Sequence, residues 1–383
     1  KKMGVETRRL IAKAKKGNSP AIFSHEFIIQ NHGDITSVIL MIFFMGFMFP
    51  STSALSSIFI MPQYNETVNA TVPGTDTVFQ IEAWHVGTRD VFTILFYTIA
   101  CVTMHAVIQE YVIDKLTKFA CRNGKISLSK TRTVKMNESG QSICFAAYTF
   151  VHALFILQDL FSQATDIQRL WLHYPEEHRA MSMKMKFFFI IQLGWWLHEL
   201  PEFYLQKLKA EEMRSRTLPI FIHVVFITAA YITNFNRIAV AVLAIESLVA
   251  FVFHAARIAL YVEQRAIASQ IFRIWNILFV GARVGDTVLA ILVFWHGLKA
   301  SEVPAVDFAA GNYNTSFVRL NALVVIMLLQ VYLVGSFATF HIGRARESWV
   351  KKAAKKSEKQ ANAGKGKGKK AASSGDEDDK KYN

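Results

Sequence analysis

The stretch Ile238–Val262, IAVAVLAIESLVAFVFHAARIALYV, decides the fold. A helix needs about 20 predominantly apolar residues to cross the hydrocarbon core of a bilayer. This stretch meets that length, and only Glu246, Ser247, His254 and Arg257 interrupt it with polar or charged groups. Seven other stretches come near the same standard: Ile35–Met61, Val91–Ile113, Ser142–Phe161, Phe187–Leu205, Leu218–Thr233, Ile274–Leu298 and Leu320–Ile342. Leu218–Thr233 is short and runs through Asn234, Phe235 and Asn236 into the quoted stretch, so the two should form a helical hairpin around a tight turn. Eight spans predict an all-α polytopic integral membrane protein.

Composition agrees. Over 383 residues the chain is 52% hydrophobic and 13% aromatic, with 31 Phe, and only 19% charged, yet its net charge is +14. A disordered chain would lack the apolar content, and a soluble enzyme would spread its charge instead of gathering it between apolar runs. Of the three cysteines, Cys101 and Cys144 fall in apolar runs and Cys121 in a basic loop, a pattern that offers neither a disulfide framework nor a zinc site. The first 34 residues are basic and polar with no cleavable signal, so the first span is expected to do the targeting.

Orientation follows from Lys and Arg, which accumulate in cytoplasmic loops. One side holds the basic N-terminus, the loop with Lys115, Lys118, Arg122, Lys125, Lys130, Arg132 and Lys135, the loop with Lys207, Lys209, Arg214 and Arg216, and the tail. The loops Pro62–Thr88 and Ser301–Phe317 on the other side have no Lys or Arg. Both termini should therefore be cytosolic. Three sequons, at Asn65, Asn69 and Asn314, fall in the two loops assigned to the lumen and are expected to be glycosylated, whereas Asn137 falls on the cytosolic side and should be unused.

Beyond His341 the chain becomes Lys/Arg-rich, then Gly/Lys-rich, and ends in an acidic run, a composition that cannot bury a core. Such a tail reads as an orientation signal attracted to anionic lipid, and it also suits contact with ribosomal RNA. Lys380 and Lys381 stand fourth and third from the end, the pattern of a dilysine signal that returns membrane proteins to the endoplasmic reticulum.

Ionisable groups in a span are costly and should face the bundle interior or a wet cavity. In the fourth span, steps of three and four put Gln192, Trp195, Glu199 and Glu202 on one face, beside Trp196 and His198. His105, Gln109 and Glu110 end the second span, and Arg283 and Asp286 in the seventh are spaced for an intrahelical ion pair. His105, Glu110, Glu199, Glu202 and Arg257 lie near span ends, within reach of headgroups. Glu246 lies deeper, so it should be protonated, paired with a neighbouring helix or facing a polar cavity. The Trp195-Trp196 pair suits packing or an interfacial belt. The polar groove is accordingly assigned to Gln192, Trp195, Trp196, His198, Glu199, Glu202, His223, Asn234, Arg237, Glu246 and His254. No phosphate-cradling glycine loop, metal-binding His pair or nucleophile elbow occurs.

Several segments resemble the translocating chain-associated membrane proteins (TRAM) of the endoplasmic reticulum. These are Ser24-His25-Glu26-Phe27 through Gln30-Asn31-His32, His105 to Tyr111, Asn137 to Gln141, Met185 through His198 to Pro201-Glu202, and Gly311 to Asn314. Together they extend over roughly Ser24 to Ile342. TRAM proteins belong to the TRAM/Lag1/CLN8 (TLC) superfamily, whose ceramide synthases build six helices around a lipid-accessible cavity and carry an adjacent His-His pair and a later His-Asp motif. Here His223 is flanked by Ile222 and Val224, Asn234 and Arg237 look like shared positions, and Glu246-Ser247 stands where His-Asp would be. The resemblance thus implies a retained fold without acyl-transfer chemistry: no catalytic residues, no metal and no cofactor, with room for a bound phospholipid or other lipid.

The implied organisation is a basic cytosolic segment 1–34, two spans over 35–113 with a glycosylated lumenal loop 62–88, a TLC-like six-helix domain 114–342, and a disordered basic tail 343–383. The implied function is non-enzymatic work beside the Sec translocon, contacting signal sequences and nascent transmembrane segments. Its partners would be the translocon, nascent secretory and membrane polypeptides, membrane lipids and, through the basic loops and tail, the ribosome, with no role for DNA. The alternative is a lipid-binding or lipid-modifying TLC protein resembling the acyltransferases. A secondary transporter would need paired broken helices and internal repeats, which the sequence lacks, and a membrane scaffold would be indifferent to the groove.

Overall fold

A computed structural model describes residues 24–71, 78–122, 129–162 and 166–374. They form α1 (His25–Met48), α2 (Pro50–Ile60), β1 (Asn65–Thr71), β2 (Val78–Trp84), α3 (Asp90–Ile108), α4 (Asp114–Arg122), α5 (Lys130–Phe161), α6 (Glu176–Arg179), α7 (Met183–Leu205), α8 (Ala210–Ile232), α9 (Asn236–Tyr261), α10 (Arg265–Ala290) and α11 (Ser316–Ser374). The chain divides into two compact units between Leu323 and Val324. Lys380 and Lys381 lie outside the described residues.

Among the described residues seven helices are long and apolar enough to span a membrane: α1, α3, α5, α8, α9, α10 and the first part of α11. The eighth expected span, α7, is long enough at 23 residues but carries Lys184, Lys186, Glu199 and Glu202 and is buried along much of its length. Neighbouring helices pack in two rows, α1 on α3 on α7 on α8, and α5 on α9 on α10, with α3 and α7 running parallel. Between α3 and α7 the approach depends on Gly194: a Cβ there would lie 3.0 Å from the Tyr97 carbonyl carbon.

Four expectations are corrected. Ile35–Met61 is not one span: Phe49 is extended (φ −100°, ψ 128°), and α2 begins on Pro50. A residue before proline disfavours the helical region, while proline suits the first helical turn. α2 then folds back, Phe59 meeting Phe43 (4.7 Å between centroids) and Phe92 (5.4 Å). The segment 62–88, expected as a lumenal loop, contains an antiparallel hairpin, β1 with β2, in register Asn65 opposite Trp84. The third span begins well before Ser142, since α5 starts at Lys130 behind a Ser129 cap whose hydroxyl accepts from the Arg132 amide. Residues 343–374 continue α11 as helix. Composition spoke to the missing core, whereas Ala, Lys, Glu and Gln extend an existing helix without a new nucleus.

The end of the bundle that carries the hairpin is held by polar contacts. Lys186 near the start of α7 and Asp90 at the start of α3 are 2.8 Å apart, with side chains 0% and 3% exposed. Lys186 Nζ also donates to Gln63 O (2.6 Å) and His85 O (2.5 Å). Asp90 Oδ2 accepts from Tyr231 Oη (2.8 Å) on α8 and from the Gly87 amide (2.9 Å). Around this pair the loops interlock. Asn234, left-handed at φ 60° in the expected α8–α9 turn, donates to Gly311 O (2.9 Å), and Gly311 itself has φ 67°. Arg237 binds Glu177 (2.9 Å) and Arg169 O (2.9 Å). Burial first, and then the Arg237 guanidinium, pushes the His178 imidazole down to about 3, so at neutral pH it is uncharged and donates to Leu172 O (3.2 Å). Beneath the loops lies the apolar core, with Phe188, Phe189, Ile227 and Val240 fully buried.

Asn314, one of the expected glycan acceptors, belongs to this interlock. It is 0% exposed, and its Nδ2 donates to Leu298 O (2.5 Å) and Ser301 Oγ (3.1 Å). Asn65 on β1 is exposed. In microsomes Asn314→Ala is therefore expected to leave the endoglycosidase-sensitive gel shift intact while lowering thermal stability by about 1–3 kcal/mol, the cost of a buried carbonyl without its donor; Asn65→Gln should reduce the shift. Lys186→Met should cost about 3–5 kcal/mol, because it strands the buried Asp90 carboxylate. Melting in detergent checks this, and the double variant Lys186→Met/Asp90→Asn should recover part of the loss; an unaffected single variant would show that the pair does not hold this end.

Candidate intramembrane cavity

At the opposite end of the bundle, where the basic loops lie, the rows of helices part around a cavity of about 1550 Å³. Its lining reaches outward to Lys118, Lys135 and Arg216 and inward to Gln192, Thr149 and Leu243. Leu243 is also part of the apolar core, so the cavity ends blindly there.

Of the eleven residues assigned to the groove, Gln192, Trp195, Trp196, Glu199, Glu202, His223, Glu246 and His254 line the cavity. The other three lie elsewhere. His198 is wedged between α7 and α3, its Nε2 3.2 Å from His105 Nδ1. Asn234 and Arg237 belong to the interlocked loops at the far end.

Helix periodicity explains the walls. From α7, Gln192 donates to Thr149 Oγ1 on α5 (2.7 Å), and Trp195 stacks on Phe145 at 4.1 Å and 5°. Trp196 stacks on His223 of α8 at 3.7 Å and 17°. Both tryptophans are thus packed in place and still face the cavity. Glu246 on α9 forms an ion pair with Arg283 on α10, and Arg283 also meets Asp286 at 3.3 Å. The expected Arg283–Asp286 pair is therefore one half of a three-membered charge cluster between two helices.

Sequence reasoning missed the α5 wall. Glu138, Gln141, Phe145 and Thr149 lie at steps of three and four on one helix face, but the first two precede the position where the third span was started. Glu138 ties α5 to its neighbours, 3.2 Å from Arg216 on α8 and 4.0 Å from Arg257 on α9. Gln141 Nε2 donates to His105 O (2.9 Å) where α3 loosens into the π-turn Gln109–Ile113. That turn realigns the end of α3 around the cavity mouth, a common use of π-bulges.

Among the described residues of the cavity, His223 and Ser247 are each tied to their own helix. His223 donates from Nδ1 to Pro219 O (2.7 Å) beneath Trp196, and Ser247 donates to Ala244 O (2.9 Å) within its own helix. Glu246 is held by Arg283.

The charge cluster sets an expectation. Glu246→Gln should destabilise the protein by about 3 kcal/mol, because Arg283 is 4% exposed and loses a carboxylate partner. A double-mutant cycle with Arg283→Gln should give a coupling above about 1 kcal/mol, and strict additivity in detergent melts would refute the pairing.

The TLC domain family matches residues 135–338. The chain is 34% identical over 342 residues to translocating chain-associated membrane protein 2 of Homo sapiens, covering 89% of this chain and 88% of that one. It is 33% identical over the same extent to the corresponding protein of Mus musculus. With 89% of its length matched, the chain belongs to the translocating chain-associated membrane protein family, within the wider group that shares the TLC domain.

Proposed function

We propose that this protein is a non-enzymatic component of the translocation site of the endoplasmic reticulum membrane. There it contacts signal sequences and nascent transmembrane segments beside the Sec translocon and assists their translocation or insertion. Its N- and C-termini are cytosolic, which puts the cavity mouth on the side where ribosome-bound chains arrive. The basic loops at that mouth, and the basic composition of the tail, suit ribosomal RNA, and Lys380 and Lys381 suit retrieval to the endoplasmic reticulum.

One observation carries the reading: a cavity inside a bundle of apolar helices has Gln192, Glu199, Glu202 and Glu246 along its walls. A polar or charged residue in a weakly hydrophobic segment is expensive in lipid, and a polar wall at membrane depth lowers that cost. Because the cavity is blind, it gives a segment shelter and no route across. Transport itself is left to a separate channel. The names of the relatives, translocating chain-associated, agree with this role.

The test combines photocrosslinking and transport. A probe in the signal sequence of a short ribosome-bound chain should form an adduct with this protein that vanishes when the chain is released. In reconstituted microsomes Glu199→Gln, alone and with Glu246→Gln, should reduce translocation of precursors with weak signals several-fold more than those with strong signals. The single variant leaves the Arg283 pair intact and so separates the groove from stability. Equal loss for both signal classes, or no adduct while the translocon is labelled in the same sample, would overturn the role.

A further inference from the structure

The arm of α11 beyond its apolar part has a pattern that the fold does not use. Residues 343–355 hold Arg344, Arg346, Lys351, Lys352 and Lys355 against Glu347 as their one carboxylate. Composition alone makes this a solvated basic tail, but the segment is helical, and a turn of 3.6 residues sorts it into two sides. Ile342, Trp349 and Ala353 follow one another by steps of seven and four along one side, with Val350 at its edge. Arg344, Lys351 and Lys355 follow by the same steps on the opposite side. The apolar side is bare: Ile342, Trp349 and Val350 are exposed, Trp349 at 75%.

Three coverings fit poorly. The apolar run 320–342 ends at Arg344, whose guanidinium lies over the Phe340 ring at 5.7 Å. At about 1.5 Å of rise per residue Trp349 stands about 10 Å beyond Ile342, whereas the headgroup layer is only about 5–7 Å deep on each side. Laying the arm on the bilayer would take a sharp bend of the kind that proline produces, yet α11 runs through this boundary as one helix with no proline beyond it. A phosphate backbone of RNA meets the basic side alone, because the apolar side points the other way. A second copy of the arm would set like charges together. A partner that satisfies both sides has to wrap the helix, offering an apolar groove within an acidic rim.

We infer that this arm is a docking helix for an acidic Ca²⁺-sensor protein, whose Ca²⁺-loaded lobes open an apolar groove and close around a basic amphipathic helix. Ile342 and Trp349 are the groove anchors, and Arg344, Lys351 and Lys355 meet the acidic rim. Because the groove opens only with Ca²⁺ bound, attachment to the arm is switched by Ca²⁺. The inference takes from the proposed function only the cytosolic placement of the arm.

The test uses the purified full-length protein in nanodiscs of choline lipid, without ribosome, translocon or nascent chain, so its outcome and that of the signal crosslink are independent. The probe is calmodulin, an acidic two-lobed Ca²⁺ sensor. Binding should be saturable in Ca²⁺ and weaken at least about tenfold when Ca²⁺ is chelated. Trp349→Gln should weaken it by about tenfold or more, as expected for an aromatic anchor lost from an interface, while Trp349→Phe keeps most of the affinity. The melting temperature should be unchanged in both variants, since the side chain is exposed in the free protein. Lys351→Gln/Lys355→Gln should weaken binding several-fold and flatten its salt dependence. Binding that survives chelation, or that responds to the lysine pair and not to Trp349→Gln, would reduce the contact to a general attraction between opposite charges and overturn the inference. Tighter binding of an RNA hairpin than of Ca²⁺-calmodulin at physiological ionic strength would assign the arm to RNA, and loss of calmodulin binding in phosphatidylserine nanodiscs would assign it to the bilayer; either would overturn it as well.

Discussion

The Lys186–Asp90 pair is the constraint on which the rest of this structure depends. Apolar helices in a bilayer gain little by exchanging lipid for each other, so polar contacts and close packing decide which helices meet. A fully buried ammonium requires several acceptors at once, and Lys186 finds them in Asp90, Gln63 and His85. Those residues come from α3 and from both flanks of the hairpin, and Tyr231 adds α8 through Asp90. One charge pair thereby fixes the relative placement of four elements. Gly194 allows α7 and α3 to stay close below it.

This anchoring makes the two ends of the bundle unlike. At the hairpin end nearly every loop side chain that is buried is also hydrogen-bonded, as Asn234, Asn236, Arg237 and Asn314 illustrate. Toward the basic end the helices lose those ties and diverge around the cavity, and single contacts such as Glu138–Arg216 span the gap. The same helices that could not hold a polar groove open in lipid by apolar packing alone are held by the distant polar end.

The sequence made the spans, the α8–α9 turn at Asn234 and most of the cavity wall legible, because helix length and the three-and-four spacing of polar residues are local signals. Gln192, Trp195, Glu199 and Glu202 could be read from α7 alone. What was hidden depends on neighbours. Nothing local told His198 that it would lie against His105, or Asn314 that its amide would donate to Leu298. Glu138 and Gln141 were hidden for a different reason: hydropathy placed the span boundary at Ser142, although α5 begins at Lys130. The break at Phe49–Pro50 was legible in principle, since the proline was in view, but the apolar run on both sides outweighed it.

The partners of Asp90 also have a consequence in time. Its bond to Tyr231 joins residues 141 positions apart, and Lys186 likewise appears long after α3 has been made. At about 5–20 residues per second, synthesis leaves α3 waiting on the order of ten seconds with its carboxylate unmatched. The first spans are therefore complete as helices well before they are complete as a fold. During biogenesis this protein must itself pass through the state it is proposed to tend in others, a membrane helix carrying a polar group whose partner has not yet been translated.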